Sequence, residues 1–335
     1  MLTVKTLRGL ALAVLLSTSV PGLAAPATAE SLTSRRAATV PCGDVTELIR
    51  QVNQANTVGS GVIMLAAGCT YTLTAPAETS GPEGANGLPT VTGQLIIYGS
   101  AATIIRDSAT PFRIAEVAPQ GSLRLQGITV SGGSATADPG TDGGGILARG
   151  RLALVASAVT GNTASHLGGG IAVASGATAQ LTATTVSGNQ ASDGGGIHVD
   201  TTGRLTVTSG SVKYNNATYT GGGLANFGST VLNGSTIRDN TTDYFEGGGI
   251  YTATGPLTVT GGSVSWNTAT TFGGGIANYG STVLLVGTSV RDNTAGESGG
   301  GVFQEMGTFR LVGSPVIGNT PDQCAPPGAV PGCPQ

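Results

Sequence analysis

Four pairs of residues carry the side chains best suited to chemistry: Lys213-Tyr214, Arg238-Asp239, Ser265-Trp266 and Arg291-Asp292. Each pair directly precedes an asparagine (Asn215, Asn240, Asn267 or Asn293), so all four fall at one position of a repeat. Trp266 is the chain's one tryptophan, and Lys213 is its one lysine after Lys5. Aromatic faces flanked by planar hydrogen-bonding groups suit a sugar ring, whose apolar face stacks while its hydroxyls bond. The candidate ligand-binding residues are therefore Lys213, Tyr214, Arg238, Asp239, Trp266, Arg291 and Asp292. Of 14 aromatic residues, 11 lie between Tyr214 and Phe309, which concentrates any stacking surface in that half. Tyr219, Tyr244, Phe245, Glu246 and Phe272 add to it from nearby loops. The competing explanation is packing: aromatics plug gaps between stacked loops, and Arg-Asp is a turn choice used twice.

A second chemistry uses Asp239 and Asp292 alone. Two repeats of stacked chain separate them by roughly 9.5 Å of backbone. Inverting glycosidases hold their two carboxyl groups about 6.5–9.5 Å apart. Against catalysis, each Asp directly follows an arginine that would pair with it, while the acid of such a pair must carry a proton.

These residues are positioned by a strict repeat. The tetrad Gly-Gly-Gly-aliphatic begins at Gly143, Gly168, Gly194, Gly221, Gly247, Gly273 and Gly299, with gaps of 25, 26, 27, 26, 26 and 26 residues. The closing aliphatics are Ile146, Ile171, Ile197, Leu224, Ile250, Ile276 and Val302. An aliphatic followed three places later by Asn runs in the same period, from Val159/Asn162 to Val316/Asn319. An apolar-x-apolar pair precedes it, as in Leu152/Leu154, Leu205/Val207, Leu257/Val259 and Phe309/Leu311. Self-similarity at this period means a solenoid. Three short strand signals per repeat, each alternating apolar with small or polar residues, predict one coil of a three-faced β-helix. The glycines supply turns, and each Asn tolerates a left-handed turn while its amide can donate to the Asn of the next coil. No repeat has ten Gly-free residues with a 3.6 period, which excludes a helical solenoid. Leu147, Ala172 or His198 stands where a Ca²⁺-binding nonapeptide roll needs Asp.

The repeat resembles the right-handed parallel β-helix superfamily that includes pectate lyases. More narrowly, it is similar to the repeat of chlamydial polymorphic outer membrane proteins, which pairs Gly-Gly-Ala-aliphatic with Phe-x-x-Asn. Here the third residue is Gly, and Val or Ile replaces Phe. The match covers about residues 120–320 and speaks to fold. The resemblance implies surface adhesion, although that family's β-barrel translocator has no counterpart before Gln335. Polygalacturonase-like members carry Asn-Thr-Asp, Asp-Asp, Gly-His-Gly and Arg-Ile-Lys, none of which occurs here. Pectate lyases need an acidic Ca²⁺ site beside an arginine, and Asp142, Asp193 and Glu246 precede only every second Gly triplet.

The fold class expected is all-β: a right-handed parallel β-helix with three short strands per ~26-residue coil and an N-terminal amphipathic capping helix. Residues 1–29 read as a secretory signal, with Lys5 and Arg8 before the apolar Leu10 to Leu16, and Ala27-Thr28-Ala29 or Leu23-Ala24-Ala25 for cleavage. That apolar run is too short to span a bilayer. Residues 30–41, with Arg35-Arg36, read as a disordered leader. A single β-helix domain then fills 42–335: a cap at 42–69, irregular coils at 70–120, regular coils at 121–320 and a tail at 321–335. Asp44 to Asn56 is the one helical pattern, with Asp44 as N-cap and Val45, Leu48, Ile49, Val52 and Ala55 on one face. It would cover the open apolar end of the solenoid. Strands are expected at Val62–Leu65, Leu95–Ile97, Thr103–Ile105 and Arg113–Val117, with a projecting polar loop from Thr79 to Gly87.

Four cysteines in an exported chain can form disulfides. Three connectivities are open; proximity along the chain and the distance between solenoid ends favour Cys42 with Cys69 and Cys324 with Cys333. Asn226 and Asn278 face inward by alternation and read as buried amides. His198 alternates outward, in a column with Leu147, Ala172, Ala225, Tyr251, Ala277 and Phe303, and both His166 and His198 read as surface histidines. No metal site and no cofactor is expected. A net charge of −3 gives no basic footprint for nucleic acid. No phosphate loop, nucleophile-base pair or nucleotide fingerprint occurs. The function expected is a secreted, non-catalytic, monomeric binder of an extracellular polysaccharide or cell-surface protein, extracellular or surface-associated without membrane insertion. The alternative is a polysaccharide-degrading enzyme of the same superfamily.

Overall fold

The computed structural model describes residues 38–81, 84–136 and 141–334. The signal at 1–29 and the Arg35-Arg36 pair lie outside the described residues. From Ala38 the chain is an all-β parallel solenoid of about 11 coils with a single helix near its start. The first strand, β1 (Ala38–Val40), falls within the stretch read as leader and pairs in parallel with Ile63–Leu65 of β2 (Ser60–Leu65).

Helix α1 (Val45–Val58) lies between these strands. Asp44 caps it by accepting from Glu47 N at 2.9 Å, and Gly59 ends it in the left-handed conformation. Leu48, Val52 and Ala55 are buried against the first coils, and Val45 and Ile49 are partly so. At Gly61 a Cβ would stand 2.5 Å from the Ala55 Cβ, so a glycine is what lets the helix sit this close. Cys42–Cys69 closes this cap, and Cys324–Cys333 closes the tail, as proximity suggested. Among the described residues no helix is long and apolar enough to cross a membrane.

Each regular coil presents three main strands, seen first at Ile146–Ala148, Arg151–Val155 and Ala158–Thr160. In the early coils the second and third fuse into single strands, Gln94–Arg106 and Ser122–Ser131. The structure adds a short fourth strand after the asparagine, Thr163–Ala164 and its equivalents, which forms a separate seven-stranded parallel sheet. The stretch from Thr79 to Gly87, read as a loop, overlaps an antiparallel pairing of Glu78–Gly81 with Gly84–Asn86.

Registers turn the sequence period into columns. Ile146, Ile171, Ile197, Leu224, Ile250, Ile276 and Val302 pair coil to coil and are all fully buried. Val159, Val186, Val212, Ile237, Val264, Val290 and Val316 form a second such column on the third strand. The asparagines form a buried ladder. Each amide nitrogen from Asn162 to Asn293 donates to the next asparagine's oxygen at 2.9–3.0 Å, and Asn319 closes the row on Gln323. The same nitrogens also bond backbone carbonyls of the preceding coil, as Asn240 does with Val212 O at 3.1 Å. Buried amides are tolerable here because their polar atoms are partnered.

The Gly triplets are required beside this ladder. Gly143 has φ 65°. At Gly144 a Cβ would fall 2.3 Å from Thr163 O, and at Gly145 it would fall 2.7 Å from Gly170 O and 3.0 Å from the Asn162 amide. The third position thus holds Gly because the next coil's carbonyl and the asparagine amide together leave no room for a methyl group.

Candidate ridge of left-handed turns

Backbone pairing aligns Lys213, Arg238, Ser265 and Arg291 one above another. The residue after each of them is the turn residue. Tyr214, Asp239, Trp266 and Asp292 all have φ between 54° and 57°, in the left-handed region. The same position in flanking coils is Gly132, Gly161, Gly188 and Gly318, with φ of 63–69°. The turn is thus imposed by the solenoid, whatever residue fills it. Its amides continue the ladder: Tyr214 N donates to Arg238 O, Asp239 N to Ser265 O and Trp266 N to Arg291 O, at 3.2–3.3 Å.

The side chains stand outside. Tyr214 is 54% exposed and Trp266 56%. Arg238 Nη1 donates to the Tyr214 hydroxyl at 3.0 Å and also to Asp239 Oδ2. The Tyr214 bond, with the nearby Asp239 charge, shifts Arg238 further toward its charged form. Arg291 Nη1 donates to Asp292 Oδ2 at 2.6 Å. Each aspartate of the candidate catalytic pair is therefore held by its own arginine. Tyr214 is also occupied: Arg238 lies 5.1 Å and Lys213 5.6 Å from its ring centre. Trp266 makes no ring or cation contact among the described residues. On the far side of each asparagine a polar column follows: Asn216, Thr241, Thr268 and Thr294. All seven predicted ligand residues thus meet on one ridge.

The other aromatics form two separate groups. Tyr219 packs with Tyr244 and Phe245 on adjacent loops, and all three are exposed. Thr242 Oγ1 and Thr270 Oγ1 brace that loop through the Phe245 and Asp243 carbonyls. The second group is a row not legible from the repeat position alone: His198, Phe227, Tyr251, Tyr279, Phe303 and Phe272, with ring centres 4.5–5.8 Å apart. Apart from Phe272, which directly precedes a Gly triplet and stacks on Phe303, the rings come alternately from the residue after the core aliphatic and from the residue three after it. That alternation is why Ala225 and Ala277 stand where Tyr251 and Phe303 stand. Glu246 Oε1 accepts from the Tyr279 hydroxyl at 3.0 Å, and burial pushes both groups up from their ordinary pKa values. Each ring in this row is buried or half-buried and packs on its neighbours, so the row is a structural ladder.

This corrects the reading of His198 as a surface residue. It is 4% exposed, and its column with Leu147, Ala172, Ala225, Ala277 and Phe303 is buried too. The first glycine of each triplet lies against the outer side of this strand: a Cβ on Gly194 would come 2.9 Å from the His198 Cα. Burial lowers the His198 pKa to about 4, and its Nδ1 has no hydrogen-bond partner. His166 is exposed, as expected, and its Nδ1 lies 2.9 Å from Asp142 Oδ1. The acids before the triplets serve the stack. Asp142 Oδ1 accepts from Leu167 N, and Asp193 Oδ1 accepts from Thr220 N and Oγ1, each one coil on. Asn226 and Asn278 are buried amides as expected, bonded to Thr252 Oγ1 and to Gln304 Oε1. Among the described residues no three His, Cys, Asp or Glu side chains gather as a metal site.

No protein-family model, no curated protein and no solved structure matches this chain.

Proposed function

We propose that this solenoid is a secreted, non-catalytic module that binds an extracellular polymer, a glycan, along the ridge of Tyr214, Asp239, Trp266 and Asp292. One observation carries the reading: a tyrosine and a tryptophan occupy left-handed turns within a run of four coils, at a position that glycine fills in the coils on either side of that run. For an L-residue this conformation costs roughly 1–2 kcal/mol. Bulky residues hold such positions where something other than local stability keeps them there. Trp266 is more than half exposed and meets no other ring or cation among the described residues, which leaves its face open to a stacked ligand. The two disulfides agree with an oxidising compartment.

The test pairs a glycan array with a reducing-sugar assay on the purified protein. Binding without product, lost in Trp266→Ala with melting nearly unchanged, is the expected result. Product that disappears in Asp239→Asn or Asp292→Asn would make the chain a hydrolase instead. A Trp266→Ala variant that melts several degrees lower while binding is unaltered would end the ridge reading.

A further inference from the structure

The ridge also carries information about what kind of glycan it takes. We infer that it binds an uncharged, linear glycan lying parallel to the solenoid axis, an inference that rests on the binding reading above. Direction comes first. The four pairs occupy consecutive coils at one register, so they span about 14 Å at the inter-strand spacing. Gly188 and Gly318 bound the line at its two ends. A ligand that uses the whole line is extended along it, and one that continues past either end gains no further side chains.

Charge decides the class. Arg238 is paired with Asp239, and Arg291 with Asp292. Both aspartates keep 29% side-chain exposure. A uronate or sulfate approaching either guanidinium would meet the neighbouring carboxylate, and like charges brought together at an interface repel. Lys213 is the one cation of the ridge with no acid beside it, and it lies over the Tyr214 ring. The remaining guanidinium N–H groups of Arg238 and Arg291 have no partner among the described residues. A paired guanidinium and carboxylate therefore presents donors and an acceptor side by side. Neighbouring sugar hydroxyls, each both donor and acceptor, match that arrangement.

Stacking fixes the register. The Tyr214 ring is engaged by two cations, whereas Trp266 is free. One stacking position is thus flanked, one coil away on each side, by an Arg-Asp pair. The site reads as about three sugars at the coil spacing, the central one on Trp266 through the axial C–H face that equatorial hydroxyls leave apolar. The outer two are held by Arg238-Asp239 and Arg291-Asp292.

Calorimetric titration of the full chain tests this, with neutral gluco- and xylo-configured oligosaccharides from disaccharide to hexasaccharide, and oligogalacturonates as the charged counterpart. Expected is binding of a neutral series that tightens to the trisaccharide or tetrasaccharide and then levels off. Affinity should change less than about twofold between low and high salt, and Trp266→Ala should lose about tenfold or more. The double variant Asp239→Asn/Asp292→Asn should weaken neutral binding and, with its repulsion removed, strengthen oligogalacturonate binding. Tighter, salt-sensitive binding of oligogalacturonate by the unaltered protein would overturn the uncharged class and leave the ridge standing as a glycan site. Neutral binding that keeps tightening through the hexasaccharide would overturn the bounded line. Binding of no glycan would remove the proposed function, and this inference with it.

Discussion

A tryptophan held at φ 57° should be replaceable by glycine at no structural loss. Left-handed strain of roughly 1–2 kcal/mol would be relieved, and the added freedom of the unfolded chain would return about 0.5–1 kcal/mol. Trp266→Gly should therefore leave stability to urea unchanged or raise it by up to about 1 kcal/mol while glycan binding disappears. A clear destabilisation would show that the indole packs. The signal for this turn is in the sequence, because Gly161, Gly188 and Gly318 share its column; the tolerance of Asn for a left-handed turn points instead to the next residue, whereas the left-handed residue stands one place before each asparagine. His198 is the opposite case. Alternation correctly turns it away from the core aliphatics, but nothing in a period of 26 says that a glycine turn folds over it. With its pKa lowered from 6.5 to about 4, the unfolded chain takes the proton first. Its share of stability is full above about pH 6.5, declines as pH falls, and is lost once pH passes below 4. The loss should approach 2–3 kcal/mol, order of magnitude. His198→Phe, which keeps a ring against Phe227, should flatten that part of the stability-pH curve in urea melts from pH 4 to 7. An unchanged slope would mean His198 is hydrated.

The elements of this fold are columns more than strands. The main strands of a regular coil are mostly three to five residues long and would not hold alone; stacking makes each aliphatic one rung of a buried line. Ile197 sits between Ile171 and Leu224 with no exposure. Ile197→Asn should cost about 2–4 kcal/mol, from lost burial and an amide without partners. The asparagine ladder shows why the same residue type is harmless a few residues away: there every amide meets another. Unchanged urea or thermal melting of Ile197→Asn would contradict the register. These columns were legible because both faces of a strand repeat in step along the chain. The fourth strand was not, since two residues such as Thr163-Ala164 carry too little pattern to separate a strand from a turn. The aromatic row was half legible: Tyr251 and Phe303 share a column that alternates large with small residues, but their partners Phe227 and Tyr279 lie at another position of the repeat.

As a whole molecule the solenoid is close to one-dimensional, because each coil touches only its neighbours. Its ends then matter more than its middle. Helix α1 has 14 residues, a length that is marginal for an isolated helix in water, so its order depends on docking Leu48, Val52 and Ala55 onto the first coils. The Cys42–Cys69 bridge closes 27 residues around that docking. In the loop-entropy model such a closure is worth about 3 kcal/mol. Cys42→Ser/Cys69→Ser should therefore loosen the cap and let the solenoid fray from that end. Hydrogen exchange should accelerate at Ile63–Leu65 and Leu95–Ile97, which the cap covers, and stay slow at Ile197 and Ile250, many coils away. Glycan binding at Trp266 should survive, since the ridge begins at Lys213 and draws its geometry from its own coils. If exchange instead rose equally along the chain, the coils would be unfolding as one cooperative unit, and the cap would be stabilising the entire solenoid and not its first coils alone.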